Sequence, residues 1–385
     1  MISDQVVPAV LMRGGTSKGV FIREADLPPA GPDRDAFLLA LMGSPDPMQI
    51  DGLGGTHSST SKVVAVTESQ RPDTDIEYLF AQVSIDHAQV DYATNCGNLT
   101  AAVGPYAIEE GMVAAVEPIT AVRLYNLNTG RRIVAHVPVA GGRPVTIGDQ
   151  AIAGVPGRGA GIVTEYLDPA GAVTDRLLPT GRSCDVVTCM DGSPIEVSLV
   201  DVSACVAFVR LDQINVADDL APAEANADAS MLDRLEALRG VCAVLIGRSS
   251  DPAHARIDSP AIPRLALVSP PRTHALLDGT VLNADTHDLM IRALSMGRFH
   301  HSCPLTTLLC VAASTFVPGT IPNAVADVDA RRSVRVAHPK GIVEVTVALD
   351  NDGSVDETVR IASVSVVRTA RRLMEGQAYV RGAYC

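Results

Sequence analysis

Ten residues from the first third of the chain can be laid on ten from the last third without a gap. "NCGNLTAAVG" (95–104) and "HSCPLTTLLC" (301–310) pivot on Leu99-Thr100 and Leu305-Thr306, and each runs on into an apolar helix. Strand signals repeat around both. "VPAVLMR", "VFI", "SKVVAVT" and "EYLFAQVSI" precede the first helix, and "AVRLYNL", "RRIVAHVPV" and "PVTIG" follow it. After Gly192 the pattern begins again with "IEVSLVDVSACVAFVRL", "RLALVSPP" and "DLMIRALS", and "ETVRIASVSVVRTARRLMEGQAYV" closes it as a strand pair. A doubled pattern favours two pseudo-equivalent halves facing each other. The length, 385 residues, is too great for one ordinary core and agrees with two domains.

The remaining segments read as connections and surface elements. "DRDAFLLALMGSPD" has helical spacing and stops at Gly-Ser-Pro. "DHAQVDYATNCG" reads as a loop, and "NLTAAVGPYAIEEG" as a helix closed by Gly111. The Gly/Pro-rich stretch "GVPGRGAGIVTEYLDPAG" (154–171) reads as a surface excursion. "ANADASMLDRLEALRGVCAVLIG" reads as an amphipathic helix and then an apolar strand. Pro304 fits the first helical position, where its missing N–H costs nothing. In the same register Asn98 starts the first helix, Cys96 lies just outside it, and Ser302 takes the place of Cys96 in the second half.

Charge and composition exclude several classes of function. The formal net charge is −13, with no basic run, which argues against nucleic acid. Aromatics are 3% and Trp is absent, so a stacking platform for bases or sugars is not expected. The apolar runs are short and broken, so no membrane span is read. The start carries Asp4 and no basic n-region, so no signal peptide is read. None of the eight cysteines forms a CxxC pair, so no metal site is expected, and the thiols read as reduced, in the cytoplasm. Of 31 basic residues only Lys18, Lys62 and Lys340 are lysines. A lysine kept against that bias points to a task Arg cannot do, such as losing a proton.

The placing of Cys96 is the sharpest local signal. A helix N-terminus presents unpaired N–H donors and about half a positive charge, so a thiol there is drawn toward thiolate or proton-transfer work. Gly97 lets the backbone approach a ligand, and Asn95 and Asn98 add neutral donors. The segment could cradle a carboxylate or an enolate. By itself it is equally an Asn-Cys-Gly turn that caps a helix.

"LMRGGTSKGVFI", "DGLGGTHSSTSKVVAV", "DYATNCGNLTAAVG", "LPTG", "SMGRFHHSCPLTT" and "VRTARRLMEG" together resemble the PrpF family, in order from Met12 to Gly376. That family groups with methylitaconate Δ-isomerase, aconitate isomerase and the 4-oxalomesaconate tautomerases. The resemblance implies a diaminopimelate epimerase-like α+β fold: two pseudo-symmetric domains, each a curled, mostly antiparallel sheet around a central helix. The domains would be 1–190, carrying Lys62 and Cys96, and 191–370, with 371–385 as a C-terminal strand returning to the first. Epimerases of this fold use two opposed cysteines. Here the second position is Ser302, with Cys303 one place off, which speaks against racemisation by two thiols.

The resemblance further implies a cofactor-independent isomerase. It would move a C=C bond or tautomerise a small unsaturated di- or tricarboxylate, with Lys62 pairing with Cys96. Lys62 is the candidate base and Cys96 the candidate acid, roles that exchange with the direction of reaction. Lys18 is the alternative working lysine. Arg13 can grip a carboxylate in two parallel hydrogen bonds. Thr16, Ser17, Gly54, Gly55 and Thr56 offer hydroxyls and backbone N–H groups. Met296, His300 and Ser302 would face the substrate from the second half, with His301 beside them. The expected partner is the acid substrate alone, without nucleic acid or membrane, and a homo-oligomer is compatible with the chain. An epimerase, or a tricarboxylate-binding accessory protein without turnover, are the competing readings.

Overall fold

The computed structural model describes residues 4–93, 95–189, 192–214, 216, 221–328, 332–350 and 359–382. Two compact units emerge, 1–167 with 367–385 and 168–366.

The first unit is built on a twisted sheet sandwiched between two helices. Strand β1 (Gln5–Gly14) turns through Gly15-Thr16 into β2 (Ser17–Arg23), with Arg13 opposite Lys18 and Gly14 opposite Ser17. Gly15 sits at φ +48°, which an unbranched hairpin turn of two residues requires. β2 runs parallel to β3 (Lys62–Glu68), which pairs antiparallel with β4 (Ile76–Val83). The C-terminal strand Ala370–Val380 lies antiparallel along the other edge of β1, from Gln5 opposite Val380 to Gly14 opposite Ala370.

Period-two alternation assigns each side chain to a face. Val7, Ala9, Val20, Ile22, Val63, Ala81 and Val83 pack with Phe37, Leu38, Leu41 and Met42 of α1 (Pro32–Met42). α1 begins with Pro at its first turn and stops at Gly43, which is left-handed at φ +74°. The opposite face receives α2 (Gly97–Glu109), nearly every residue of which is buried. A helix apolar all round belongs in a core. Strands β1, β2 and β3 and the strands Arg131–Ala140, Ile162–Leu167 and Ala370–Val380 all contact it, so the sheet wraps around it.

The second unit repeats the plan around the helix Leu305–Ser314, which is buried throughout. Strands Pro194–Asp201, Cys205–Arg210, Ser333–His338 and Gly341–Asp350 contact it. A separate cluster joins Leu199, Ala207, Val209, Leu265 and Leu267 to Leu235, Leu238 and Cys242 of the long helix Ala229–Leu245.

The structure departs from the sequence reading at several elements. Residues 162–167 are a core strand, with Ile162, Thr164 and Tyr166 buried and Val163 paired with His136, where a surface excursion was expected. The flanking glycines hid its alternation. The apolar run after Gly240 continues the helix to Leu245, because a short apolar run has the same appearance in a buried helix and a buried strand. Of "PVTIG" (144–148) only Pro144 is strand, at the end of the pair Arg143–Pro144, and Ile147 is 88% exposed. The two compact units divide at Leu167/Asp168 and Val366/Val367. The segment after Asp168 is held by Asp201, whose carboxylate accepts from the backbone of Val173 and Thr174.

Candidate active site

Sheet parity brings Ser17, Gly19 and Lys62 to one face in the first unit. Ser17, Gly19 and Phe21 on β2 share one face with Lys62, Val64 and Val66 on β3 and Tyr78, Phe80 and Gln82 on β4. That face carries α2. The ring centroids of Phe21 and Tyr106 lie 5.4 Å apart, and a Cβ on Gly19 would stand 2.7 Å from Leu99 and 3.0 Å from the Lys62 carbonyl. Ser17 and Gly19 therefore link the two predicted catalytic residues. The Cys96 thiol donates to Ser17 Oγ at 3.7 Å, and Lys62 stands beside Gly19.

Cys96 is the N-cap residue of α2, with extended backbone (φ −102°, ψ 93°). Its side chain makes no capping bond, so the thiol is free of the helix it precedes. The first intrahelical bond is Thr100 N–H to the Cys96 carbonyl. No described residue accepts from the N–H groups of Gly97, Asn98 or Leu99, the donors a helix start leaves open. Asn95 is held from behind: its Oδ1 lies 3.4 Å from both Tyr78 OH and Thr100 Oγ1, which bond each other at 2.9 Å.

Lys62 is 8% exposed and its ammonium sits 4.9 Å from the centre of the Phe80 ring. It donates to Gln82 Oε1, its cross-strand partner. Gln82 in turn donates to the carbonyls of Ser58 and Ser61, so its oxygen is fixed toward the lysine. No carboxylate among the described residues pairs with Lys62. A buried ammonium facing a neutral amide and a ring is not locked in an ion pair.

The hairpin tip packs on the start of α2 closely enough that only glycine fits. A Cβ on Gly14 would lie 2.4 Å from the Asn98 carbonyl oxygen. Asn98 Nδ2 donates to Thr16 Oγ1 at 3.0 Å. Arg13 and Lys18 fall on the other face of the hairpin. Arg13 Nη1 is committed to the Gly15 and Thr369 carbonyls and to Thr369 Oγ1, at 2.9–3.0 Å. Burial, reinforced by Arg371, lowers the Arg13 pKa. Lys18 is tied through its backbone N–H to the Ser59 carbonyl at 2.9 Å.

The Gly-rich loop before Lys62 is organised by Gln49, which is 2% exposed at φ +46°. Its amide donates to Ser44 and Ser61 Oγ and accepts from Thr56 N–H at 2.9 Å. Gly54 N–H donates to the Met42 carbonyl. Of the three loop amides expected to face a ligand, only that of Gly55 has no acceptor among the described residues.

In the second unit the equivalents are arranged differently. Met296 occupies a turn at φ +52° and is 65% exposed. His300 and His301 stack with centroids 4.8 Å apart. His300 Nδ1 accepts from the Ser302 N–H at 3.1 Å, so the other nitrogen carries the proton when the ring is neutral. Burial, and then His301, push the His300 pKa down to about 4. Ser302 Oγ lies 3.5 Å from His338 Nδ1. The helix starts at Leu305 with Pro304 as its N-cap, one position later than the sequence register placed it. Cys303 is buried, and burial raises its pKa. Arg264 fills the first turn, donating to Thr306 and Thr307 Oγ1.

Gln82 and Gln49 escaped the sequence reading. Only the register of β3 against β4, and the fold-back of the loop onto α1, reveal them.

A sheet-wrapped helix in each unit is the architecture of epimerase-like isomerases. A hydroxyproline epimerase from Agrobacterium vitis shares it over 99% of this chain and 94% of that one, at TM-score 0.57 and 12% identity. The chain belongs to the PrpF family, whose model, described as PrpF protein, matches residues 4–381. Among its relatives are 3-methylitaconate isomerase from Eubacterium barkeri, 41% identical over 99% of both chains, and 4-oxalomesaconate tautomerase from Pseudomonas putida, 39% identical over 96% of this chain and 95% of that one. A crystal structure of methylitaconate-delta-isomerase superposes at TM-score 0.86 with 40% identity, covering 98% of this chain and 96% of that one. The protein is an isomerase. Among its described residues no helix is long and apolar enough to cross a membrane.

Proposed function

We propose that the protein shifts a C=C bond, by a 1,3-proton transfer, in a small unsaturated di- or tricarboxylate. The observation that carries this reading is the shared sheet face: the buried Lys62 and the helix capped by Cys96 lie on one side of β2, joined through Ser17 and Gly19.

Lys62, as its neutral amine, takes a proton from the carbon next to the activated double bond and becomes the ammonium. The electron pair of that C–H bond forms the new C=C, and the former π pair moves into the substrate's conjugated carboxylate or keto group as a dienolate. Cys96 delivers a proton to the far carbon, and the pair in the dienolate returns to make that bond. Atoms and charge balance without a redox partner, so the step calls for no cofactor. The open N–H groups of Gly97, Asn98 and Leu99, with the Gly55 amide, supply donors for the developing charge. Sheet parity favours Lys62 over Lys18 as the working lysine, since Lys18 is on the face turned to α1. Binding of a carboxylate by Arg13 would use Nε and Nη2, because Nη1 is occupied. In the second unit, Met296, His300 and Ser302 are the candidates for substrate contact.

The test is proton NMR in D2O with aconitate, methylaconitate, methylitaconate and oxalomesaconate, wild type beside Cys96→Ser. Double-bond migration with deuterium uptake, absent in the variant, is expected. Exchange at an sp3 stereocentre without migration would replace this reading with an epimerase.

A further inference from the structure

Arg368 ends the strand Arg360–Arg368 and is 5% exposed, in the first unit. Its aliphatic stem touches the hairpin tip: a Cβ on Gly15 would lie 3.2 Å from Arg368 Cδ and 2.2 Å from Asn98 Oδ1. The guanidinium thus stands beside the first turn of α2. Nη1 donates to the Val367 carbonyl at 2.8 Å, while Nε is sealed from solvent without a partner. Among the described residues none accepts from Nη2, and no carboxylate pairs with the group. Burial alone brings the Arg368 pKa down to about 10, and the one neighbour that opposes this is Tyr166.

Tyr166 is the second orphan. Its hydroxyl is buried beside the Thr100 and Thr164 hydroxyls, too far or too poorly aligned to make a full hydrogen bond with either, and within electrostatic reach of Cys96. Burial pushes its pKa up to about 12, so it stays protonated and can donate. Two unpartnered polar groups beside one helix N-terminus are uncommon, since buried donors are nearly always paired. An unpaired buried cation is costlier still, and the ordinary remedy is a carboxylate.

We propose that Arg368 is the carboxylate-binding residue of this site, taking one carboxylate of the substrate on its Nε–Nη2 edge with Tyr166 OH as an added donor. The proposal rests on the reading of the protein as an isomerase of unsaturated polycarboxylates. The Nε–H and Nη2–H bonds are parallel and match the two oxygens of a carboxylate. The anion compensates a charge the fold leaves bare, and it places the substrate against Cys96. Arg13, which lies with Lys18 on the hairpin face turned away from α2, is the weaker candidate for the same task.

The experiment is calorimetric titration with tricarballylate, a saturated tricarboxylate with no double bond to move, and with propionate as a monoacid control. Wild type, Arg368→Gln, Arg368→Lys and Tyr166→Phe are compared, with KM and kcat measured on the substrate found by NMR. Arg368→Gln is expected to weaken tricarballylate binding about 30-fold or more and to raise KM in step, the loss of a charge-assisted two-point contact. Its melting temperature without ligand should hold or rise, because a bare buried charge is gone. Arg368→Lys should recover part of the affinity, and Tyr166→Phe should lose about 3- to 10-fold. Unchanged affinity in folded Arg368→Gln overturns the proposal while wild-type turnover keeps the isomerase reading. If Arg368→Gln does not fold, Tyr166→Phe decides, and unchanged affinity there overturns the proposal. Arg368-dependent binding with no turnover of any acid would uphold the proposal and remove the isomerase reading. A wild type that neither binds nor converts any acid overturns both.

Discussion

The two central helices begin in opposite ways. α2 opens on Cys96, whose thiol is uncommitted to capping and is followed by three N–H groups without acceptors among the described residues. The helix Leu305–Ser314 opens on Pro304, which has no N–H, and its first turn is filled by Arg264 bonded to Thr306 and Thr307. Cys303 is turned into the interior and Ser302 stands two residues before the N-cap. One helix start is left open for chemistry and the other is closed by side chains. A racemase acting on one carbon needs matched groups on both faces. A proton shift between two carbons can take both its groups, a lysine and a thiol, from a single unit.

The strongest test of this contrast is to remove the groups on each side. Cys96→Ala and Lys62→Ala should each lower kcat by about 10³-fold or more, within the range of general acid–base catalysis, with circular dichroism unchanged. Ser302→Ala should stay within a few-fold. Equal losses in Ser302→Ala would erase the asymmetry.

Next in size is acid stability, which reports the second unit. The His300 pKa is lowered to about 4 from 6.5. Between those values the unfolded chain binds the proton that the folded ring refuses, so stability is full above about pH 6.5 and is lost as pH falls toward 4. Wild type should lose about 3 kcal/mol at most across that window, in excess of His300→Gln, in urea titrations at several pH values. Identical pH dependence in the two proteins would contradict the buried neutral ring.

Gly14→Ala probes the closeness of the hairpin to α2. The added Cβ meets a backbone oxygen at 2.4 Å, and a cost of about 1–3 kcal/mol in thermal melts is expected. Gln82→Leu should lower kcat about 10-fold with KM little changed, by freeing the Lys62 ammonium from its fixed acceptor. Cys303→Ala should be the mildest: unchanged kcat, with about 1–2 kcal/mol of stability lost from a buried site. A large loss of activity there would mean that the second helix start is open after all.

Much of the first unit was legible in order of residues. The alternation of β1 through β4, the glycines at the hairpin and the position of Cys96 at a helix start are local properties. The strand Ile162–Leu167 was not legible, because its alternation spans only six residues between glycine turns. The helix Ala229–Leu245 was half legible, because an apolar run has no period to betray its conformation.

Local pattern alone therefore determined that a thiol stands at the mouth of an apolar helix, that a lysine begins a strand, and that the plan occurs twice. Tertiary structure decided which face each lysine occupies, since parity has meaning only once a sheet has a helix on one side. It also brought residues hundreds of positions apart, Arg368 and Gly15 among them, to one helix start, and it closed the other start with Arg264. Pairings over such distances are set by packing, and no short stretch of sequence carries them.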